Sequence, residues 1–269
     1  MGRKGDISFV ITNRLIRYAE RRNNLKSVGD HVGEVEIPLG IIEKGIIKDE
    51  QEFKLIITDL VQRNNWEGRK LAFTLPSKLA HLYQLYKSKV KDRESLLIVN
   101  QWSRDNPSYG KQRDTSSLLV YSYYLHHIQS YTALLNQSKV HAIRADVAPQ
   151  AVYRLYQERV SYIPSDVLVV YWNKDGLTMT TYYLGQAVYT KHWDMEDKTY
   201  LPGLFKKYYT EMLFNQETIA FGQVILSGDV DYLSEVYTEI RENIRSPIYV
   251  YGNQFIPTKF MDVIGVSMW

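Results

Sequence analysis

One order of elements occurs twice in this chain, and that repetition limits the fold more than any other feature of the sequence. Ile7–Ile11 and the run at 15–19 are rich in β-branched and apolar residues and are joined across Thr12-Asn13-Arg14, a spacing that predicts a tight hairpin. Val35, Ile37 and Leu39 then alternate with Glu34, Glu36 and Pro38. Asp49 precedes Glu52 at capping-box spacing, and Phe53, Leu55, Ile56, Ile57, Leu60 and Val61 follow at helical intervals. Residues 70–75 return to strand, and Pro76 stops it. Past residue 150 the scheme restarts. A helix is predicted over 151–159, a buried strand over 167–171, and two strands over 177–183 and 187–192 around Leu184-Gly185-Gln186. A helix over 200–215, a strand over 222–227, a helix over 230–243 and a strand over 248–251 complete the series. The halves share order rather than wording, which predicts a duplicated mixed α/β architecture.

The stretch between the halves differs. Residues 87–94 are dense in charge, SLLIVN at 95–100 predicts a strand, and QWSRDNPSYGKQRDT at 101–115 predicts a polar loop. A strand is predicted over 118–122. A helix follows over 125–135, with Ile128, Tyr131, Leu134 and Leu135 facing inward.

Several function classes fall to composition. No apolar run approaches the ~18–20 residues of a membrane span, and the short apolar run in MGRKGDISFVITNRLIR predicts no signal peptide. Zero cysteines remove disulfides, thiolate metal sites and cysteine nucleophiles. A net charge of +3 is too small to imply nucleic acid. Six histidines show no HxxxH or HExxH spacing, and adjacent His126 and His127 are expected on opposite helix faces because neighbours differ by about 100°. Ser122 and Ser227 lack a GxSxG context, and Asp194, Glu196 and Asp197 read as a solvated acidic loop. Arg3, Lys4, Arg14, Arg17, Arg21, Arg22 and Lys26 form either a solvated edge or a contact for an anionic membrane surface. The 22 tyrosines suit half-buried strands, with a dedicated binding face as the rarer use.

The wording of successive segments is more specific. ISFVITNRLIRYAE (7–20), GIIEKGIIKDEQEF (40–53), RKLAFTLPSK (69–78), SLLVYSYYLHHIQSYTALLNQSKVHAIRADVAPQAVYRLY (117–156), QVILSGDVDYLSEVYTEIRENIRSPIYV (223–250) and DVIGVSM (262–268) follow one another over almost the whole chain. In this order they resemble the PilM family of type IV pilus assembly proteins, of the actin-like ATPase fold, and more distantly FtsA. The resemblance implies an actin-like, ribonuclease H-like duplicated fold with an inserted FtsA/PilM-type subdomain. Residues 1–75 with 146–164 would form the first half, 76–145 the insertion, and 165–269 a shortened second half. Only 56 positions separate Tyr171 from Ser227, which implies a reduced fourth subdomain.

In such proteins three loops grip a nucleotide between the halves. The first two need an acid and a glycine after the leading strand of each half, the acid organising magnesium and the glycine letting amides approach phosphate. The matching positions are Val10 and Thr12 in the first half and Tyr171 and Asn173 in the second, with Arg17 kept as the following basic position. Asp175-Gly176 lies slightly downstream and reads as a hairpin turn. Where the third loop wants Gly-Gly, this chain has Ser227-Gly228-Asp229, read as a strand-to-helix turn with Asp229 as a cap, and a carboxylate there repels phosphate.

These substitutions lead to the expectation of a pseudo-ATPase: no enzyme, no cofactor and no metal. The resemblance implies a cytoplasmic scaffold at the inner face of the membrane, part of a type IV pilus or competence-type machine. Its partners would be the N-terminal tail of a PilN-like membrane protein and other pilus assembly proteins, with no nucleic acid and no membrane contact except through the partner. The tail would lie in a groove near the junction of 1–75 and 76–145. Two rival readings are a residual ATP-binding switch and an FtsA-like division protein. The latter would bring a C-terminal amphipathic membrane helix, which Gly265-Val-Ser-Met-Trp269 does not provide.

Overall fold

In β1 (Ile7–Ile11) successive side chains go to opposite faces, and both faces are buried. The computed structural model, which describes residues 7–20, 31–86, 117–160, 166–183, 186–194, 203–214, 221–229, 233–250 and 258–267, shows what covers each face. β1 pairs antiparallel with β2 (Leu15–Glu20), which pairs antiparallel with β3 (Val32–Glu36). On its other side β1 runs parallel to β6 (Lys70–Thr74), and β6 to β9 (His141–Asp146). The five-stranded order is β3-β2-β1-β6-β9.

The second half repeats this order with different residues. β10 (Val167–Asn173) pairs antiparallel with β11 (Gly176–Tyr183), and β11 with β12 (Gln186–Asp194). β13 (Gln223–Gly228) lies parallel beside β10, and β14 (Ile248–Val250) beside β13, giving β12-β11-β10-β13-β14. The duplicated architecture expected from the sequence is therefore present in strand order, direction and connection.

Helices complete the layers. α1 (Glu50–Arg63) starts where Asp49 accepts a hydrogen bond from the Glu52 amide at 2.9 Å, the expected cap. Its Phe53, Ile57, Leu60 and Val61 join Ile128, Tyr131, Leu134 and Leu135 of α2 (Leu125–Gln137) against Ile7, Phe9, Leu71 and Phe73 on the outer face of the first sheet. On the outer face of the second sheet, α4 (Leu204–Phe214) and α5 (Leu233–Asn243) cover Leu168, Val170 and Trp172. Between the sheets lie α3 (Ala148–Val160) and α6 (Met261–Ser267). α6 packs on Val10, Ala19 and Ala72 of the first sheet, while Val152 and Tyr153 of α3 meet Val169, Tyr171 and Tyr182 of the second. The two inner helices cross at Ala151 and Gly265, where any Cβ on Gly265 would collide with the Ala151 carbonyl.

Two smaller pairs stand beside this frame. β4 (Ile42–Glu43) and β5 (Ile46–Ile47) form a hairpin ahead of α1. β7 (His81–Tyr86) pairs antiparallel with β8 (Ser117–Ser122), and both lie against β12 of the second half. Within the stretch 76–145, then, α2 is a layer of the first half, and the β7–β8 hairpin is the part that leaves it. β7 has no counterpart among the strands expected from the sequence. The strand expected at 95–100 and the loop at 101–115 fall outside the described residues, as does Leu184-Gly185. No long insertion separates β12 from α4, since only 195–203 intervene.

Candidate functional site

The three loops expected to grip a ligand do converge, at the ends of β1, β10 and β13 between the two sheets. The first turns at Thr12: its hydroxyl accepts the Arg14 and Leu15 amides at 3.1 and 3.0 Å, and its own amide donates to the Leu15 carbonyl at 2.9 Å. The second turns at Asn173, whose side-chain oxygen accepts the Asp175 and Gly176 amides at 2.9 and 3.1 Å, so the hairpin turn expected at Asp175-Gly176 is present, spanning Lys174-Asp175 and closing on Gly176 at the start of β11. In the third, Gly228 has φ +126°, and a Cβ there would run into the Trp172 carbonyl, so glycine is required for geometry alone. The Asp229 amide then donates to that same carbonyl at 2.8 Å.

These loops bond to one another. The Asn13 amide, on the first loop, donates to Asp175 Oδ2 on the second at 2.7 Å. The Asn13 side-chain oxygen accepts the Gly45 amide at 2.8 Å, and the Gly45 carbonyl accepts the Tyr131 hydroxyl at 2.9 Å. A continuous chain of hydrogen bonds thus runs from α2 through the β4–β5 turn to the second half.

Deeper in the cleft, Arg17 is the centre. It sits beside Val10 in register on the inner face of the first sheet and is fully buried. One guanidinium nitrogen donates to Asp262 Oδ2 at 2.8 Å, in the first turn of α6, another contacts Asp229 Oδ1 of the third loop, and Glu34 lies 3.8 Å from Nε. The Tyr171 hydroxyl donates to Asp262 Oδ2 at 2.6 Å, and the Val263 amide to Asp262 Oδ1 at 2.6 Å. Burial opposes the charge on Arg17, but Asp262 chiefly outweighs it and raises the guanidinium above its ordinary range. Burial, seconded by Asp262, holds the Tyr171 phenol well above its usual value. Burial also pushes the Asp175 carboxyl up to about 6, against the bond from Asn13 and the charge of Arg14.

All eight candidate positions are described: Val10, Thr12, Arg17, Tyr171, Asn173, Ser227, Gly228 and Asp229 line the meeting point of the loops. Asp229 turns its carboxylate to Arg17 across the cleft; the helix cap the sequence suggested for it involves residues 230–232, which lie outside the described residues. Ser227 and Thr74 occupy equivalent positions on β13 and β6, each beside the leading strand's candidate residue, and neither hydroxyl has a hydrogen-bond partner among the described residues. Sequence reasoning missed Asn13 and Asp262 as parts of the site. Asp262 carried a usable signal, because an acid inside the apolar run Met261–Val266 has to be matched by a buried cation.

Chemically, the arrangement consumes what a phosphate would need. The first loop's amide is donated to a carboxylate of this chain, and the cation buried in the cleft faces three, Asp229, Asp262 and Glu34. Among the described residues no group of three or more acids and histidines could hold a metal ion. The histidine pair departs from expectation: the His126 and His127 rings lie 3.9 Å apart, because both lean over Tyr124 just before α2. No helix among the described residues is long and apolar enough to cross a membrane.

No protein-family profile and no curated protein matches the chain in sequence. Solved structures match it in fold. A chain of a PilM–PilN type IV pilus biogenesis complex superposes with a TM-score of 0.71 at 12% identity, covering 98% of both chains. A protein of actin-like ATPase fold and unknown function from Bacteroides thetaiotaomicron gives 0.60 at 9% identity, covering 100% of this chain and 97% of that one. The cytoplasmic domain of EpsL, an inner membrane component of the type II secretion system of Vibrio cholerae, gives 0.51 at 8% identity, covering 97% and 92%. The fold is actin-like.

Proposed function

We propose that this protein is a scaffold of a type IV pilus or related secretion assembly, working at the inner face of the membrane by holding the cytoplasmic tail of a PilN-like protein, without turning over ATP. The observation that carries the reading is the likeness over 98% of both chains to a component of a PilM–PilN complex, and the likeness to the EpsL cytoplasmic domain points to the same kind of assembly. The internal pairing of the three loops supports the absence of turnover, since amide and cation are both committed to carboxylates of the chain.

The tail's seat is the junction of the β4–β5 hairpin with α2. β5 lies against α2 there, and large apolar side chains stay exposed: Ile46 on β5, and Tyr124 and Leu125 at the start of α2. An extended peptide would bind by main-chain hydrogen bonds and a few apolar anchors, so its affinity depends only weakly on salt. The test is calorimetric titration with a synthetic peptide of the PilN-like protein's cytoplasmic tail. Binding that falls at least tenfold in Ile46→Asp and Leu125→Asp, with unchanged melting temperature, is the expected result. Failure of the intact protein to bind the peptide overturns the reading.

A further inference from the structure

We infer that Arg17, with Asp229, Asp262 and Tyr171, is a built-in clamp that fixes the two halves of the fold in one closed arrangement, taking the bridging place that a ligand between the halves would otherwise hold. The four residues come from four elements of both halves. Arg17 belongs to β2 of the first sheet, Tyr171 to β10 of the second, Asp229 follows β13, and Asp262 opens α6 between the sheets. A single guanidinium therefore ties the first sheet to the second half twice, through Asp229 directly and through Asp262 to Tyr171.

Geometry and charge both favour a lock over a hinge. Arginine presents its donors as a rigid planar fork, so engaging two carboxylates at once defines direction as well as distance. Opening the cleft would take the Asp229 carboxylate from the cation it faces, while Arg17 keeps Asp262 and Glu34, so the Asp229 pair is what favours closure. A second tie acts at the mouth of the cleft, where the Asn13 amide donates to Asp175. The two ties lie on successive parts of one hairpin, so rotation about either one is blocked by the other. This inference concerns the cleft alone and holds whether or not a PilN-like tail binds.

The chain has no native cysteine, so a pair of spin labels can be introduced at Gln62 on α1 and Glu242 on α5, both exposed and on opposite outer layers. Pulsed dipolar spectroscopy on the full chain should give one narrow distance distribution, unchanged by millimolar ATP with magnesium. Asp229→Ala leaves Arg17 paired with Asp262, and it should broaden or lengthen the distribution while circular dichroism stays native. Arg17→Lys keeps the charge but cannot reach both carboxylates, and it should broaden the distribution likewise. It decides the matter if Asp229→Ala does not fold. A wild-type distribution with two maxima, or folded variants with the wild-type distribution, overturns the clamp.

Discussion

Asp175 shows how one residue can hold two halves together at a cost. Its carboxyl is buried and pushed up to about 6, whereas in the unfolded chain it titrates near its ordinary value. A raised acid favours the folded state in its protonated form. The contribution is therefore fully present below about pH 4 and is lost as pH rises through 6. Holding the ionised carboxylate in this buried place costs about 3 kcal/mol of folding free energy at neutral pH. Asparagine at this position still accepts the Asn13 amide and carries no charge. Asp175→Asn should raise the melting temperature at pH 8, and the gain should shrink toward zero as pH falls to 4. A gain equal at both pH values would rule out this account. His192, which burial lowers to about 4, titrates in the opposite sense over the same window and is present in both proteins of the comparison. The turn at Asp175-Gly176 was legible from its residues, because turn chemistry is local. Its bond to Asn13, 162 positions away, was not.

Among the elements, the inner pair α3 and α6 sets how closely the two sheets can approach. Their crossing depends on Gly265, whose missing side chain lets the Ala151 carbonyl come near. Gly265→Ala should destabilise the protein by about 1–3 kcal/mol, the usual cost of overpacking, read as a lower midpoint in urea with an unchanged slope. At the edge of the fold Asp49→Ala should cost only about 1 kcal/mol, since it removes one cap from a helix held by its buried face of Phe53, Ile57, Leu60 and Val61; a larger loss would mean that Asp49 does more than cap. α1 and the inward face of α2 were readable from spacing alone. β7 was not, because a short strand after Pro76 has no periodicity of its own and is defined by its partner β8.

For the whole molecule, the actin-like frame suggests a nucleotide and the self-paired cleft suggests none, and the proposed scaffold follows the cleft. A ligand that binds the native state must raise its melting temperature. The expected outcome is no shift with millimolar ATP and magnesium. A concentration-dependent rise would return the protein to the ATP-binding switch, with Arg17, Asp175 and Asp229 as the first positions to substitute. The β7–β8 hairpin against β12, with Lys78 paired to Asp194, gives the first half a further contact with the second, away from the cleft.

Most of the order of elements, without β7 and the inner helix α6, was present in the amino-acid order, as were the two hairpins that open the halves, the cap of α1 and the buried faces of α1 and α2. Each follows from periodicity or turn chemistry within a dozen residues, which the chain carries locally. Set beside the family it resembles, the same order also places Val10, Thr12, Tyr171 and Asn173 where acids and glycines are expected. What stands in their place emerged only when the chain was folded. Arg17 and Asp262 are 245 positions apart, and each alone is a charge inside an apolar run. Their meaning is set by which sheet faces which helix, and pairing across the cleft is a property of packing that no local pattern encodes.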